Sequence, residues 1–170
     1  ISGGGVQVSG GKLTVDVEIL GDSSRIDTYA VCIPNWSLSV SGGGEFNITG
    51  KQVRYGIYDP ARITVDGGKL KVDVTRTDND REVFGVRQYS SRECHVKNGG
   101  VLNISVNSPY DSAGNAGHAK GLETDVLNVY EGGTATITAK SDWKAESIVP
   151  RYIVCDGTVN LKAETVNGYA

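Results

Sequence analysis

The stretch Ile63-Thr-Val65-Asp-Gly67-Gly68-Lys-Leu70-Lys-Val72-Asp-Val74 decides the fold of this 170-residue chain. It holds two short segments in which aliphatic and polar residues alternate, and a pair of glycines separates them. Such alternation places the aliphatic side chains on one face of a β-strand and the polar ones on the other. Related stretches occur at residues 6–17, 38–48, 94–106, 127–139 and, in degenerate form, 152–163. The repetition predicts six copies of one strand–turn–strand unit.

The spacing of the copies indicates a solenoid. Their equivalent core positions are Leu13, Phe46, Leu70, Leu102, Ala135 and Val159. Successive members of this set are 33, 24, 32, 33 and 24 residues apart, which suits the coil of a solenoid. A single coil cannot bury its own apolar face, so stacked coils share one core and pair their strands along the axis. Residues 1–170 are therefore expected to form a single all-β domain of about six coils.

A third short motif completes each coil. It reads Tyr29-Ala30-Val31, Tyr55-Gly56-Ile57, Phe84-Gly85-Val86, Lys120-Gly121-Leu122 and Glu146-Ser147-Ile148. Each coil should then have three strands, and the insertions at 18–28, 75–82 and 107–119 should project as loops from one corner. The glycine pairs predict sharp turns, because glycine adopts positive φ at little steric cost. A phosphate-binding loop would need a helix after the glycines, whereas a strand follows each pair.

Charge and composition exclude several partners. The chain has 17 basic and 20 acidic residues, a formal net charge of −3 and no basic cluster, so we expect no nucleic-acid partner. No apolar run is long enough to cross a bilayer, so we expect no membrane insertion. The sequence lacks Met and starts and stops within a coil, which leads us to expect a fragment of a larger protein with flanking coils or caps.

The three cysteines and two histidines predict neither disulfides nor a metal centre. Cys94 has the same position in its strand as Ile63 and Leu127, so it should point into the core. Cys155 is interpreted as a turn residue, and Cys32 follows an inward valine. The three cysteines belong to different coils, too far apart for disulfide bonds. No Cys-x-x-Cys motif occurs, and the histidines lack a second ligand at a productive spacing.

Aromatic side chains are the first candidates for a binding surface, because sugars stack on exposed rings. Tyr29, Tyr55 and Phe84 share one position in the third strand and are expected to stack as a ladder inside the coil. Further rings lie at corners or in insertions, namely Trp36, Tyr58, Tyr89, Tyr110, Tyr130 and Trp143. All of these except Tyr130 are taken as candidate carbohydrate contacts. The alternative is that each ring is a local hydrophobic cover for a coil edge.

Carboxylates on the outer face of the second strand are further candidates. Polar side chains there form two rows, Thr14, Asn47, Lys71, Asn103, Thr136, Asn160 and Asp16, Thr49, Asp73, Ser105, Thr138, Lys162. Asp16 and Asp73 would lie two coils apart, about 10 Å at the usual strand spacing. Both are included as candidate carbohydrate contacts, the alternative being a solvated polar sheet face. Asp78, Asp80 and Glu82 could chelate a cation or form a solvated turn.

The order of these elements resembles a known family. The sequence Gly56-Ile57, a spacer, Ile63-Thr-Val65, the glycine pair and Leu70-Lys-Val72 is similar to the coils of β-helix proteins that bind carbohydrate on bacterial cell surfaces. A pectin-binding β-helix with bound calcium typifies that family. The similarity covers roughly Gln7 to Ala163. It implies a right-handed parallel β-helix, an extracellular location, and a polysaccharide or cell-surface glycan as partner.

Calcium is implied by the resemblance alone. Family members often carry aspartate pairs at the Gly-Ile corner, which build the calcium sites. At those places this chain has Thr28-Tyr29, Arg54-Tyr55, Val83-Phe84 and Ala119-Lys120. The residues themselves therefore lead us to expect no cofactor.

The function expected from these observations is non-enzymatic. The domain would bind a polysaccharide or host glycan, or serve as an adhesion or spacer scaffold, joined to flanking domains of the same chain on a bacterial surface. The alternative is a polysaccharide lyase or glycoside hydrolase of similar outline that uses Asp16, Asp73 and Lys71. Such lyases need carboxylates around calcium and a basic residue, and hydrolases need paired carboxylates.

Overall fold

The computed structural model describes residues 4–20, 27–77, 82–89, 91–109 and 117–165. These residues form strands joined by turns, and the strands fall into three sheets in which all neighbours are parallel. Within the described ranges there is no helix whose length and apolarity would let it cross a membrane.

The three sheets each take one strand from successive coils. Sheet 1 contains, in spatial order, β1 (Val6–Ser9), β4 (Ser37–Ser41), β7 (Arg62–Asp66), β10 (Glu93–Lys97), β13 (Val126–Val129) and β16 (Tyr152–Cys155). Sheet 2 contains β2 (Lys12–Glu18), β5 (Glu45–Lys51), β8 (Lys69–Thr75), β11 (Val101–Ser108), β14 (Thr134–Ser141) and β17 (Thr158–Thr165). Sheet 3 contains β3 (Tyr29–Cys32), β6 (Tyr55–Tyr58), β9 (Glu82–Arg87), β12 (His118–Glu123) and β15 (Lys144–Val149).

This arrangement is a right-handed parallel β-helix of about six coils, as predicted. The predicted equivalences hold residue by residue, because Leu13 pairs with Phe46, and Phe46 pairs with Leu70. The same register continues through Leu102 to the last strand of sheet 2. Both predicted polar rows on the outer face of sheet 2 are aligned by this register.

The inward rows of the three sheets form one apolar core. Cys94 belongs to it, between Ile63 and Leu127, and is fully buried as predicted. Desolvation raises the pKa of its thiol to about 12, so the group is uncharged at neutral pH and packs as a small apolar side chain. All three cysteines are free thiols.

The interpretation of Cys155 as a turn residue is wrong. Cys155 pairs with Val129, which pairs with Val96, so it belongs to an inward row of sheet 1. The turn of the sixth copy is shorter and has a single glycine, because three residues separate Cys155 from Val159 whereas four separate Val65 from Leu70. Among the described strands, β16 and β17 are the last of their sheets, with a neighbour on one side only. Cys155, Ile153 and Leu161 are therefore exposed although they lie in core positions.

The glycine pairs form the turn between sheet 1 and sheet 2. Gly43 and Gly99 have φ values of 77° and 76°, a conformation that is costly for residues with a Cβ. A second corner joins sheet 3 to sheet 1 and is built differently. Its turns use non-glycine residues, and it carries the candidate functional site described below.

Candidate functional site

A stack of aromatic rings lies on sheet 3. The ring centroids of Tyr29 and Tyr55 are 5.4 Å apart and those of Tyr55 and Phe84 are 5.3 Å apart, with interplanar angles of 16° and 17°. The predicted stacking is confirmed, but its predicted location inside the coil is wrong. A Cβ at Gly56 would lie 2.6 Å from Val72 Cγ1, so Gly56 faces the core and the preceding Tyr55 faces outward.

Arg87 of β9 covers this stack on its outer side. Its Cζ atom lies 4.8 Å from the ring centroid of Phe84 and 5.2 Å from that of Tyr89, and Nη1 donates a 3.2 Å hydrogen bond to the Tyr55 hydroxyl. Its Nε lies 3.2 Å from Glu123 Oε2, and the two groups form an ion pair without a hydrogen bond between these atoms. A guanidinium over aromatic faces is stabilised by cation–π attraction. Tyr55 and Phe84 are buried beneath this cover, whereas Tyr89 stays 43% exposed.

Tyr58 and Tyr89 form an edge-to-face pair beside the stack. Their ring centroids are 5.9 Å apart at an interplanar angle of 85°, and their hydroxyl oxygens are 2.5 Å apart. The hydrogen bond with Tyr89, followed by burial, raises the pKa of the Tyr58 hydroxyl. The hydroxyl is therefore protonated at neutral pH and holds the Tyr89 ring in place.

The turns at this corner adopt an uncommon backbone conformation. Asn35, Asp59 and Ser91 have φ values of 64°, 57° and 65°, in the left-handed region that Asn and Asp tolerate better than most residues. Arg92 ties the turns together. It donates to the Asp59 carboxylate, to the Asp59 carbonyl oxygen at 2.7 Å and to Asn35 Oδ1 at 2.8 Å. Its Cζ lies 5.9 Å from the Tyr89 ring centroid, so the same guanidinium also braces that ring.

Trp36 follows Asn35 directly and is 56% exposed. Its carbonyl oxygen accepts a 2.8 Å hydrogen bond from the Ala61 amide, which fixes the backbone while the indole remains in solvent. We name this group the aromatic corner, and it consists of Trp36, Tyr58, Arg87, Tyr89 and Arg92. It brings three of the predicted aromatic contacts to one corner, where Arg87 and Arg92 contact the Tyr89 ring and Arg92 also binds Asn35, the residue before Trp36.

A cleft of about 170 Å³ adjoins the aromatic corner. It is lined by Gln88, Tyr89, Glu123, Thr124, Asp125 and Val149. Gln88 and Thr124 are hydrogen-bonded to each other at 2.8 Å, and Gln88 Nε2 donates to the Pro60 carbonyl at 3.1 Å. The cleft therefore sets hydrogen-bonded polar groups beside an exposed ring.

The other predicted aromatic contacts do not join this group. Trp143 is 46% exposed in the turn between β14 and β15, where its amide donates to Ser141 Oγ at 3.2 Å. In the described part of the chain no ring contact links Trp143 to the corner. Tyr110 lies outside the described residues.

Asp16 and Asp73 lie in one row on the outer face of sheet 2, whereas the aromatic stack belongs to sheet 3. Thr49 separates them in the aligned row. Two shallow grooves of about 370 and 240 Å³ adjoin this row, Asp16 lining the first and Asp73 the second. Lys71 Nζ lies 2.7 Å from Asp73 Oδ2, and this hydrogen bond raises the pKa of Lys71. The described contacts thus fall into an aromatic group at the corner, an acidic row on sheet 2, and Trp143 alone in the turn after β14.

The residues at the family's calcium positions do not suit calcium, which takes oxygen ligands. The Tyr55 ring stacks on its neighbours there, and Arg54 Nε donates to the Glu82 carbonyl at 3.2 Å. Across the residues that the structure describes, no group of three or more His, Cys, Asp or Glu is arranged to hold a metal. Asp78 and Asp80, which could chelate a cation together with Glu82, lie outside the described residues.

Sequence reasoning missed both arginines of the aromatic corner. Arg87 has the same strand position as Tyr58, since the two pair in register. That equivalence was a usable signal, because a residue beside an outward aromatic also points outward. No sequence signal marks Arg92, because its partners Asn35 and Asp59 belong to two other coils.

Fold and site together define a parallel β-helix with a rigid aromatic corner. No protein-family model matches the chain, and no curated protein or solved structure shows significant similarity to it.

Proposed function

We propose that this domain is a non-enzymatic carbohydrate-binding module and that the aromatic corner is its binding surface. The observation that carries the proposal is the pair of exposed rings, Trp36 and Tyr89, in turns of the same corner between sheet 3 and sheet 1. Sugar rings expose apolar C–H faces that pack on aromatic rings, and their hydroxyls need nearby hydrogen-bonding groups. In the adjoining cleft Gln88 and Thr124 are buried and already hydrogen-bonded, so the partly exposed carboxylates of Glu123 and Asp125 are the acceptors offered to sugar hydroxyls.

Preorganisation supports this proposal. Arg92, Asp59 and Asn35 fix the turns, and Arg87 and Tyr58 fix the Tyr89 ring. A surface that is already ordered loses little conformational entropy when a ligand binds. The cleft is small and open, which suits one sugar unit of a chain that continues over the surface.

The resemblance of the repeats to bacterial surface β-helix proteins supports the same role. On that basis we propose an extracellular location on a bacterium, with a polysaccharide or host glycan as ligand and flanking domains in the same chain. The repeating coils suit an adhesion or spacer scaffold that presents the corner.

A glycan array followed by calorimetry tests the proposal. The domain should bind at least one glycan, and Tyr89→Ala and Trp36→Ala should each weaken binding about tenfold, as expected for loss of ring stacking. Tyr152→Ala is the matched control, because Tyr152 is 61% exposed and lies on the last strand of sheet 1. Unchanged affinity in both corner variants would contradict the proposed surface. An array without any hit would favour a scaffold that binds no carbohydrate.

An enzyme acting on polysaccharide is the second candidate, favoured by the grooves beside Asp16 and Asp73. Their spacing, about 10 Å from strand geometry, lies at the upper edge of what inverting hydrolases use. A lyase would need a base, but the raised pKa of Lys71 keeps its amine protonated. If Asp73→Asn leaves the turnover of every tested polysaccharide unchanged, the enzyme candidate is excluded.

A further inference from the structure

A third groove, of about 350 Å³, lies on the outer face of sheet 1. It is lined by Arg62, Thr64, His95, Lys97 and Tyr130. Thr64 and His95 are neighbours in register across β7 and β10, and Tyr130 follows β13. The groove shares no residue with the aromatic corner or with the grooves on sheet 2.

The lining is rich in hydrogen-bond donors. Arg62 and Lys97 carry positive charge, Thr64 and Tyr130 carry hydroxyls, and no carboxylate lines the groove. The carboxylates of Glu93 and Asp66 lie beside the groove and pair with its cations. Arg62 is only weakly engaged by one of them, since its Nη2 lies 3.9 Å from Glu93 Oε2 and its side chain is 61% exposed.

The flanking carboxylates orient the donors. Glu93 Oε2 lies 2.8 Å from His95 Nε2, and the Tyr130 hydroxyl lies 3.1 Å from His95 Nδ1. The two rings are parallel within 8°, with centroids 5.9 Å apart. The imidazole is therefore held at both nitrogens, by Glu93 and by Tyr130.

The opposite end of the groove is ordered in the same way. Asp66 accepts a 2.7 Å hydrogen bond from Asn98 Nδ2 and lies 3.2 Å from Lys97 Nζ. These contacts, Asn98 first, lower the pKa of Asp66, so it stays ionised and holds the Lys97 ammonium in position. The Cα atoms of Arg62 and Lys97 lie about 14 Å apart on adjacent strands, as strand geometry gives. Both side chains line the groove between these positions.

We propose that this groove binds a sugar that carries a phosphate or sulfate ester. A tetrahedral oxyanion presents three oxygens, which suit the Arg62 fork, the Lys97 ammonium and the Thr64 hydroxyl approaching from different sides. Tyr130 and His95 supply an apolar surface beside the charge for the sugar ring. The proposal does not depend on the aromatic corner, none of whose residues line this groove.

Titrations of the isotope-labelled domain followed by NMR test the proposal. The probes are glucose 6-phosphate, glucose 6-sulfate, glucose and inorganic phosphate. We expect saturable shifts at His95, Lys97 and Tyr130 with at least one ester, weaker binding of inorganic phosphate and none of glucose. Arg62→Gln and Lys97→Gln should each weaken ester binding about tenfold, as for loss of a charge-assisted hydrogen bond. Added salt should weaken it as well.

Lys69→Gln is the matched control, because Lys69 also pairs with a carboxylate, Glu45 at 3.3 Å, but lies on sheet 2. The Lys69→Gln variant should bind the phosphate or sulfate ester as tightly as the wild type does. Failure of both esters to saturate the shifts would overturn the proposal. Equal weakening by the Lys69 and Lys97 variants, or equal binding of inorganic phosphate and glucose 6-phosphate, would overturn it too.

Discussion

The imidazole of His118 lies between carboxylates from two neighbouring strands. His118 Nε2 is 2.8 Å from Glu146 Oε2, and Nδ1 is 3.4 Å from Glu82 Oε1. Lys120 lies 2.7 Å from Glu82, and Lys144 lies 3.3 Å from Glu146. Burial lowers the pKa of His118, the hydrogen bond with Glu146 opposes it, and the Lys120 charge lowers it further. The folded protein therefore favours the neutral imidazole.

The pH dependence of stability follows from this environment. The folded-state pKa lies below that of the unfolded chain, so the associated stability is complete above pH of about 6.5 and is lost as the pH falls through the folded-state pKa. We expect the melting temperature of the wild type to fall more between pH 7.5 and 5.5 than that of His118→Gln. Equal pH profiles for the two proteins would contradict the assigned direction.

Two residues of the aromatic corner could be selected from the sequence alone, whereas Arg92 could not. Tyr89 and Trp36 could be selected because turns lie at the protein surface, where an aromatic side chain is seldom fully buried. Arg92 could not, because its role depends on Asp59 and Asn35, which approach it only after the coils have stacked. Hydrogen bonds between turns of different coils leave no periodic signal in the chain.

Sheet 3 is the element where the sequence interpretation and the structure differ. Sheets 1 and 2 follow strict alternation, so their inward rows were predictable. In β6, Tyr55, Gly56 and Ile57 are all buried, and the alternation is not regular. Regular alternation predicts that Tyr55 points inward like Ile57, two residues later, whereas Arg87 covers the Tyr55 and Phe84 rings from outside the sheet.

Gly56 is the residue that tests this account of sheet 3. A Cβ there would lie 2.6 Å from Val72 Cγ1 and 2.8 Å from Val74 Cγ2, so we expect Gly56→Ala to destabilise the domain by about 1–3 kcal/mol through overpacking. Urea unfolding measures the change. Ser147→Ala is the control, because Ser147 occupies the equivalent position in β15 and already carries a Cβ. An unchanged urea midpoint for Gly56→Ala would show that Gly56 does not face the core.

For the whole molecule, stability depends on stacking between neighbouring coils. Leu70 is fully buried with paired strands on both sides, whereas Leu161 lies on the last described strand of sheet 2 and is 43% exposed. We expect Leu70→Ala to cost about 2–5 kcal/mol and Leu161→Ala under about 1 kcal/mol. Urea unfolding of both variants measures the difference. Similar losses would mean that the terminal strand is as tightly packed as the central one.

The sequence by itself determined the stack of about six coils, the plan of three strands per coil, the register of sheet 2 and of sheet 1 as far as β13, and the burial of Cys94. These features follow from local alternation, and a one-residue shift would turn every apolar side chain toward solvent. The tertiary structure decided which outward side chains meet. Arg87 and Arg92 join Tyr58, Tyr89 and the turn before Trp36 across three coils, and the acidic row lies on another sheet. The physical reason is that apolar burial fixes inward positions locally, whereas outward contacts depend on how separate coils bend and stack.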